Sequence, residues 1–245
     1  MGGRMMPRCD HECQGYEGIQ RMDVDFFLRL RTKFIREFYD PAIKQFLVTQ
    51  RLIEAEEEPY VPPYTEDGGE PPFLEEWTAA ETGIQIVGRT AISMLSESLK
   101  VYFIQWESFL RISCSKHFKA DFKKGYWNGY RKCFGEGLGV PWERCPADDE
   151  IIEQIAEARN SSQHAGRITS LSVQHPDDIR QRFPNAIFVR QYEKQLDEDD
   201  LRGLSWLGSE LIVSRDALFQ AIDQVELLVD WLEPQLQNIR WGRPL

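Results

Sequence analysis

These 245 residues contain no G-x-G-x-x-G turn, no Walker loop, no H-E-x-x-H pair and no G-x-S-x-G elbow. Nucleotide redox, phosphate-loop and zinc-protease chemistry therefore lack their usual parts. Histidine is scarce: His11, His117, His164 and His175 are all there are. The five cysteines are odd in number, form no C-x-x-C pair and follow no signal peptide, so a disulfide framework is not expected and a reducing cytoplasm is. No apolar run approaches the roughly 18 residues that a membrane span needs, so no membrane partner is expected. Bases are also in deficit, 29 against 40 acids for a net charge of -11, which excludes a protein that coats nucleic acid with its whole surface. Any RNA contact must be local.

What is present is helical periodicity. Residues 1–21 are polar and Gly-rich and read as a disordered leader; Cys9, His11 and Cys13 within it lack a fourth ligand and a zinc-like spacing, so no metal is assigned. From Asp23, a plausible cap, apolar positions recur through Phe26, Phe27, Leu30, Phe34, Phe38, Ile43, Phe46, Leu47 and Ile53, with a break at Asp40-Pro41 that predicts two helices or one kinked one. A Pro-rich loop follows from Pro59 to Phe73. The longest pattern, Glu75 to about Cys114, carries the stripe Ile92, Leu95, Leu99, Phe103, Trp106 and Leu110, with Gly83 and Gly88 as points of close packing. Near the end, Ser214 can cap a helix whose stripe is Leu218, Ile222, Val225, Val229 and Leu232, a helix–helix seam that Pro234 should end. Ala186–Tyr192 and Ser209–Val213 read as extended pieces that can pair as one short β-hairpin. The expected fold is all-α: a bundle of about five main helices in a single domain over 22–245, with a basic and aromatic insertion at about 111–146.

That insertion holds seven basic residues between Arg111 and Cys133 against one acid, Asp121. Phe118, Phe122, Tyr126, Trp127 and Tyr130 alternate with them. Cations and rings together can neutralise phosphates and stack bases, so Lys116, Lys119, Lys123, Lys124, Trp127 and Arg131 are candidate RNA contacts. The competing reading packs the rings on the bundle and leaves the lysines in water.

A further helix opens at Asp148-Asp149-Glu150, where acids suit the positive helix end and Asp148 can cap it. Its stripe of Ile152 and Ile155 runs into Arg159, with Asn160 and His164 just beyond. The run Arg159-Asn160-Ser161-Ser162-Gln163-His164 resembles the signature of the HEPN superfamily: an arginine, a polar residue after it, and a histidine after four to six intervening positions. The order of elements is similar too. An early kinked helix, a Pro-rich connector ending in PPFLEEW, a long second helix and a late motif helix resemble the all-helical bundle of prokaryotic HEPN proteins over roughly residues 22–233. Arg111 to His117 has a permitted spacing as well, but Ile112 follows the arginine and the pair straddles a predicted helix end at Ser115.

The resemblance implies a homodimer, because on an ideal helix Arg159 and His164 project about 140° apart while a two-fold axis would face two sets together. It implies metal-independent RNA cleavage with no cofactor, leaving a 2′,3′-cyclic phosphate and a 5′-OH. His164 would act as general acid or base, Arg159 would clamp the phosphate and Asn160 would orient one of them. A toxin or phage-defence role, restrained by an antitoxin or modified by a nucleotidyltransferase partner, is the expected setting. The alternative from another class is a non-catalytic helical binding module in which the same residues are structural.

Overall fold

The computed structural model describes residues 23–63, 70–163, 171–176, 178–194 and 209–242. The described chain is mostly helical and, among the described residues, contains no strand. Four long helices form the body: α1 (Val24–Glu54), α2 (Leu74–Leu110), α6 (Asp149–Gln163) and α8 (Arg215–Arg240). Between α2 and α6 run the short helices α3 (Cys114–His117), α4 (Lys119–Phe122) and α5 (Tyr126–Lys132), and α7 (Ile179–Arg182) follows α6.

The predicted caps form. Asp23 accepts from the Phe26 N–H, Asp148 from those of Glu150 and Ile151, and Ser214 from that of Ala217, each answering a donor left free by the first helical turn. Side-chain contacts set the helix directions. Arg29 meets Asp230, Arg36 meets Asp223 and Asp40 meets Arg215, so α1 and α8 run antiparallel. Trp77 of α2 donates to Glu54 at the end of α1, whereas Arg159 of α6 lies by Glu97 of α2 and Asp149 by Trp127 under Phe103. The order is up–down–up–down, with α2 central.

Two prolines do not end their helices. α1 continues through Pro41 and α8 through Pro234, so the predicted break at Asp40-Pro41 gives neither a second helix nor a fifth main element. An interior proline costs about 3 kcal/mol. Ile35, Tyr39 and Ile43 are buried around Pro41, as are Leu232 and Leu236 around Pro234. At about 1.5–3 kcal/mol per buried side chain, continuity of the packed face outweighs each loss.

The buried face of α1 is also not the phenylalanine face. Val24, Leu28, Thr32, Ile35, Tyr39 and Ile43 point into the core, while Phe26, Phe27, Leu30, Phe34 and Leu47 are about half exposed. Both faces are apolar, so periodicity could not choose between them; contact with α2 and α8 does. The stripe of α8 is buried as expected and that of α2 is buried from Ile92 to Trp106, with Leu110 at its end only partly so, and the α8 seam is internal to the chain. The two glycines of α2 mark close approaches. A Cβ on Gly83 would sit 2.5 Å from the Phe46 ring of α1, and one on Gly88 would sit 2.8 Å from the Val213 carbonyl oxygen.

The hairpin does not form. Residues 209–213 instead pair antiparallel with 173–175, through His175 N–H to the Ser209 carbonyl at 2.8 Å and Leu211 N–H to that of Val173 at 2.7 Å. Ala186, Ile187, Phe188 and Val189 are buried consecutively, which a half-buried strand with alternating faces cannot do. A single bond, Ile212 N–H to the Phe188 carbonyl, links them to 209–213. The structure also joins Cys114 to Cys133 in a disulfide. This corrects the expectation of no disulfide and removes the premise on which a reducing compartment was read. Among the described residues no helix is long and apolar enough to cross a membrane.

Because packing carries α1 past Pro41 at the expense of one backbone hydrogen bond, Pro41→Ala should raise stability by about 1–3 kcal/mol. A rise in urea midpoint at unchanged slope is the expected result; a fall would mean that the proline shapes the helix.

Candidate functional site

Arg159 and Asn160 lie in the last turns of α6, while His164 lies outside the described residues, as do Cys9, His11 and Cys13. Ile152 and Ile155 are fully buried, and Arg159 continues their stripe to the rim of the bundle, where its side chain is 27% exposed. The guanidinium Nη1 donates to Asn160 Oδ1 at 3.4 Å, and Nη2 stands 3.6 Å from Glu97 Oε2 on α2. Guanidinium carries five N–H donors in a fixed fork, so these two neighbours hold it without saturating it. Asn160 thus touches Arg159, its neighbour in sequence.

Tyr126 closes this corner from the side of α5. Its hydroxyl donates to the Ser96 carbonyl at 3.2 Å and stands 3.1 Å from the Ser96 hydroxyl. Burial pushes the Tyr126 hydroxyl well above its ordinary pKa, and the charge of Arg159 partly offsets this, which places the two side chains in one electrostatic neighbourhood. Lys123 and Lys124 are exposed in the turn just before α5. The Lys123 N–H returns to the Lys119 carbonyl at 3.3 Å, so these two lysines close the turn of α4 that leads into α5.

The remaining candidate RNA contacts separate. Trp127 is a correction: it is 2% exposed, its ring packs 5.9 Å from that of Phe103, and its indole N–H donates to Asp149 Oδ1 at 3.0 Å. Such a ring is a core side chain and offers no face to a base. Tyr130 stacks on Phe103 at 5.0 Å and Phe134 meets it edge-on at 5.8 Å, so these rings of the segment pack in the core. Arg131 is paired with Asp149 at 3.2 Å, at the opposite end of α6 from Arg159. Lys116 and Lys119 are exposed near the C-terminal end of α2. From Glu97 to Arg111 that helix rises about 21 Å, so these lysines lie well away from the Arg159 rim.

Sequence reasoning missed Glu97, which stands in no motif and reaches Arg159 only through helix packing, and showed Tyr126 only as one ring of the basic segment. Burial of His175 was likewise hidden, because a histidine before a proline reads as a turn. Its Nε2 lies 2.8 Å from the Phe188 carbonyl oxygen and its Nδ1 is buried with no partner among the described residues.

No protein-family model matches this chain, and no curated protein or solved structure matches it either. The class defined by its own geometry is an all-helical bundle with a partly exposed arginine near the end of its third long helix.

Two measurements check these assignments. Trp127→Ala should cost about 3–5 kcal/mol of unfolding free energy, whereas Lys123→Ala and Lys124→Ala should each change it by no more than about 0.5 kcal/mol. Burial lowers the pKa of His175, against the opposing pull of the Phe188 carbonyl, Glu157 and Glu193 and with the help of Arg180. The folded state therefore takes up this proton less readily than the unfolded chain. The stability it contributes is complete above about pH 6.5 and declines as pH falls below that value. Urea midpoints from pH 7.5 to 5 should show this decline in the parent protein and a smaller one in His175→Gln.

Proposed function

We propose that this chain is a metal-independent endoribonuclease of HEPN type, working as a homodimer with Arg159, Asn160 and His164 as its reactive set. The observation that carries this reading is the contact of Arg159 with Asn160 at the open end of α6, four residues before His164. Attack of a ribose 2′-OH on the adjacent phosphate needs a base that can take a proton near neutral pH, a cation over the phosphorane and a fixed orientation of both. Histidine, guanidinium and the amide supply these in turn. The guanidinium fork of Arg159 can bridge two phosphate oxygens, and the exposed Lys123 and Lys124 add attraction for the backbone of the strand without reading sequence. The product is a 2′,3′-cyclic phosphate and a 5′-OH. An enzyme of this kind suits a toxin or defence effector that an antitoxin or a modifying nucleotidyltransferase restrains.

One observation favours a second reading. Glu97 lies 3.6 Å from Arg159, and a carboxylate there gives the guanidinium a structural partner. On this account the bundle is a non-catalytic binding module.

Incubation of the purified protein with RNA in EDTA separates the two. The ribonuclease should cleave, and His164→Ala and Arg159→Ala should each lose about 100-fold or more in rate. Their melting temperatures should stay near that of the parent, because a partly exposed pair such as Arg159–Glu97 contributes at most about 1 kcal/mol. Intact RNA, or cleavage that survives His164→Ala, rejects the assignment.

A further inference from the structure

The second Arg/His spacing leads to a different site. Helix α2 ends at Leu110, and Arg111 caps it in the left-handed region at φ 55°, its N–H returned to the carbonyls of Glu107 and Ser108. That position ordinarily favours glycine, because a Cβ is disfavoured there. The reversal carries the chain into α3, and Arg111, Lys116 and His117 come to line one open pocket of about 640 Å³. Ile112, Phe118 and Leu138 supply its apolar wall, and Cys133, bonded to Cys114, ties that wall to the start of α3.

The charge of this pocket is the informative feature. No carboxylate lines it, and among the described residues neither Arg111 nor Lys116 has an ion-pair partner. Of the nearest acids along the chain, Glu107 accepts from the Cys114 N–H and the Tyr130 hydroxyl, Glu136 pairs with Lys132, and Asp121, on α4, is not among the residues that line the pocket. In a chain of net charge -11, arginines generally find acids: Arg29, Arg36, Arg51, Arg180, Arg190 and Arg215 all do. Two cations and a histidine gathered without an acid form a local positive field in a concave site, where the arginine fork can hold two oxygens and lysine can add a point charge.

We infer that this pocket binds a terminal phosphate monoester, with Arg111 and Lys116 on its oxygens, His117 beside them and the apolar wall under the group that carries it. A dianion with three accessible oxygens matches several converging cations better than a phosphodiester, which presents two oxygens and one charge. Such a monoester can come from a small phosphorylated molecule or from the 5′ end of a nucleic-acid strand. The site stands about 21 Å along α2 from the Arg159 rim and does not depend on the chain's being a ribonuclease.

The test uses the full chain and three probes: inorganic phosphate, and one 2′-O-methyl oligonucleotide prepared with a 5′-phosphate and with a 5′-hydroxyl. The 2′-O-methyl group removes the nucleophile of RNA cleavage, so binding is read apart from any nuclease activity. Titration calorimetry should show saturable phosphate binding that Arg111→Ala and Lys116→Ala each weaken about tenfold or more and Lys33→Ala, a change to an exposed lysine of α1, leaves unchanged. Preference for the 5′-phosphorylated strand, with competition by free phosphate, assigns the monoester to a strand end; phosphate binding without that preference assigns it to a small molecule. Absence of saturable phosphate binding, or equal binding by the parent, Arg111→Ala and Lys116→Ala, overturns the proposal. Both substituted side chains are exposed, and unchanged melting temperatures will separate lost binding from lost folding.

Discussion

The stacking of aromatic rings around Phe103 is the constraint on which the functional face depends. Phe103 is fully buried in α2, and the rings of Tyr102, Trp127, Tyr130 and Phe134 gather on it. Three of those rings come from the one strongly basic stretch of an acidic chain. Their burial draws that stretch onto the bundle, and the lysines along it have to point outward, because an unpaired charge cannot follow the rings into the core. The cluster thereby decides where positive charge appears on the surface. It leaves Lys123 and Lys124 exposed in the turn before α5 and gathers Lys116 with Arg111 beside the end of α2.

A polar knot holds the other side of α2. Tyr102 donates to Glu233 at 2.8 Å and Trp106 at 3.0 Å, while Gln237 serves the other carboxylate oxygen at 3.0 Å. Burial pushes the Glu233 carboxyl above its ordinary pKa, and these donors oppose that rise. The residue directly follows the buried Leu232 and precedes Pro234, so the knot lies where α8 has least backbone support. Buried apolar contact and fully engaged acceptors together carry the helix past its proline.

The end of α6 shows how little of a site a motif contains. Arg159 is held by Asn160, its neighbour in sequence, and by Glu97, which is distant in sequence. Tyr126 shares its electrostatic surroundings through Ser96 of α2. Whatever anion Arg159 meets must approach past a carboxylate, so affinity and charge selectivity at this rim depend on α2 as much as on α6.

Local signals determined by themselves that this chain is all-helical. Asp23, Asp148 and Ser214 cap where their side chains can reach free N–H groups, and the stripes of α2 and α8 are regular enough to define one buried face each. Those features depend on residues within a turn or two of one another, which sequence displays directly. Tertiary structure alone chose the inward face of α1, where two apolar faces compete, and carried two helices through proline. It also set 209–213 against 173–175 instead of 186–192, and joined Cys114 to Cys133. It turned the rings of the basic segment inward, against the reading of Trp127 as a stacking platform, and folded Arg111 and His117 into one pocket that their spacing could not reveal. Each of these outcomes is settled by a free-energy comparison between contacts distant in sequence, and no local pattern records which side of such a comparison is lower.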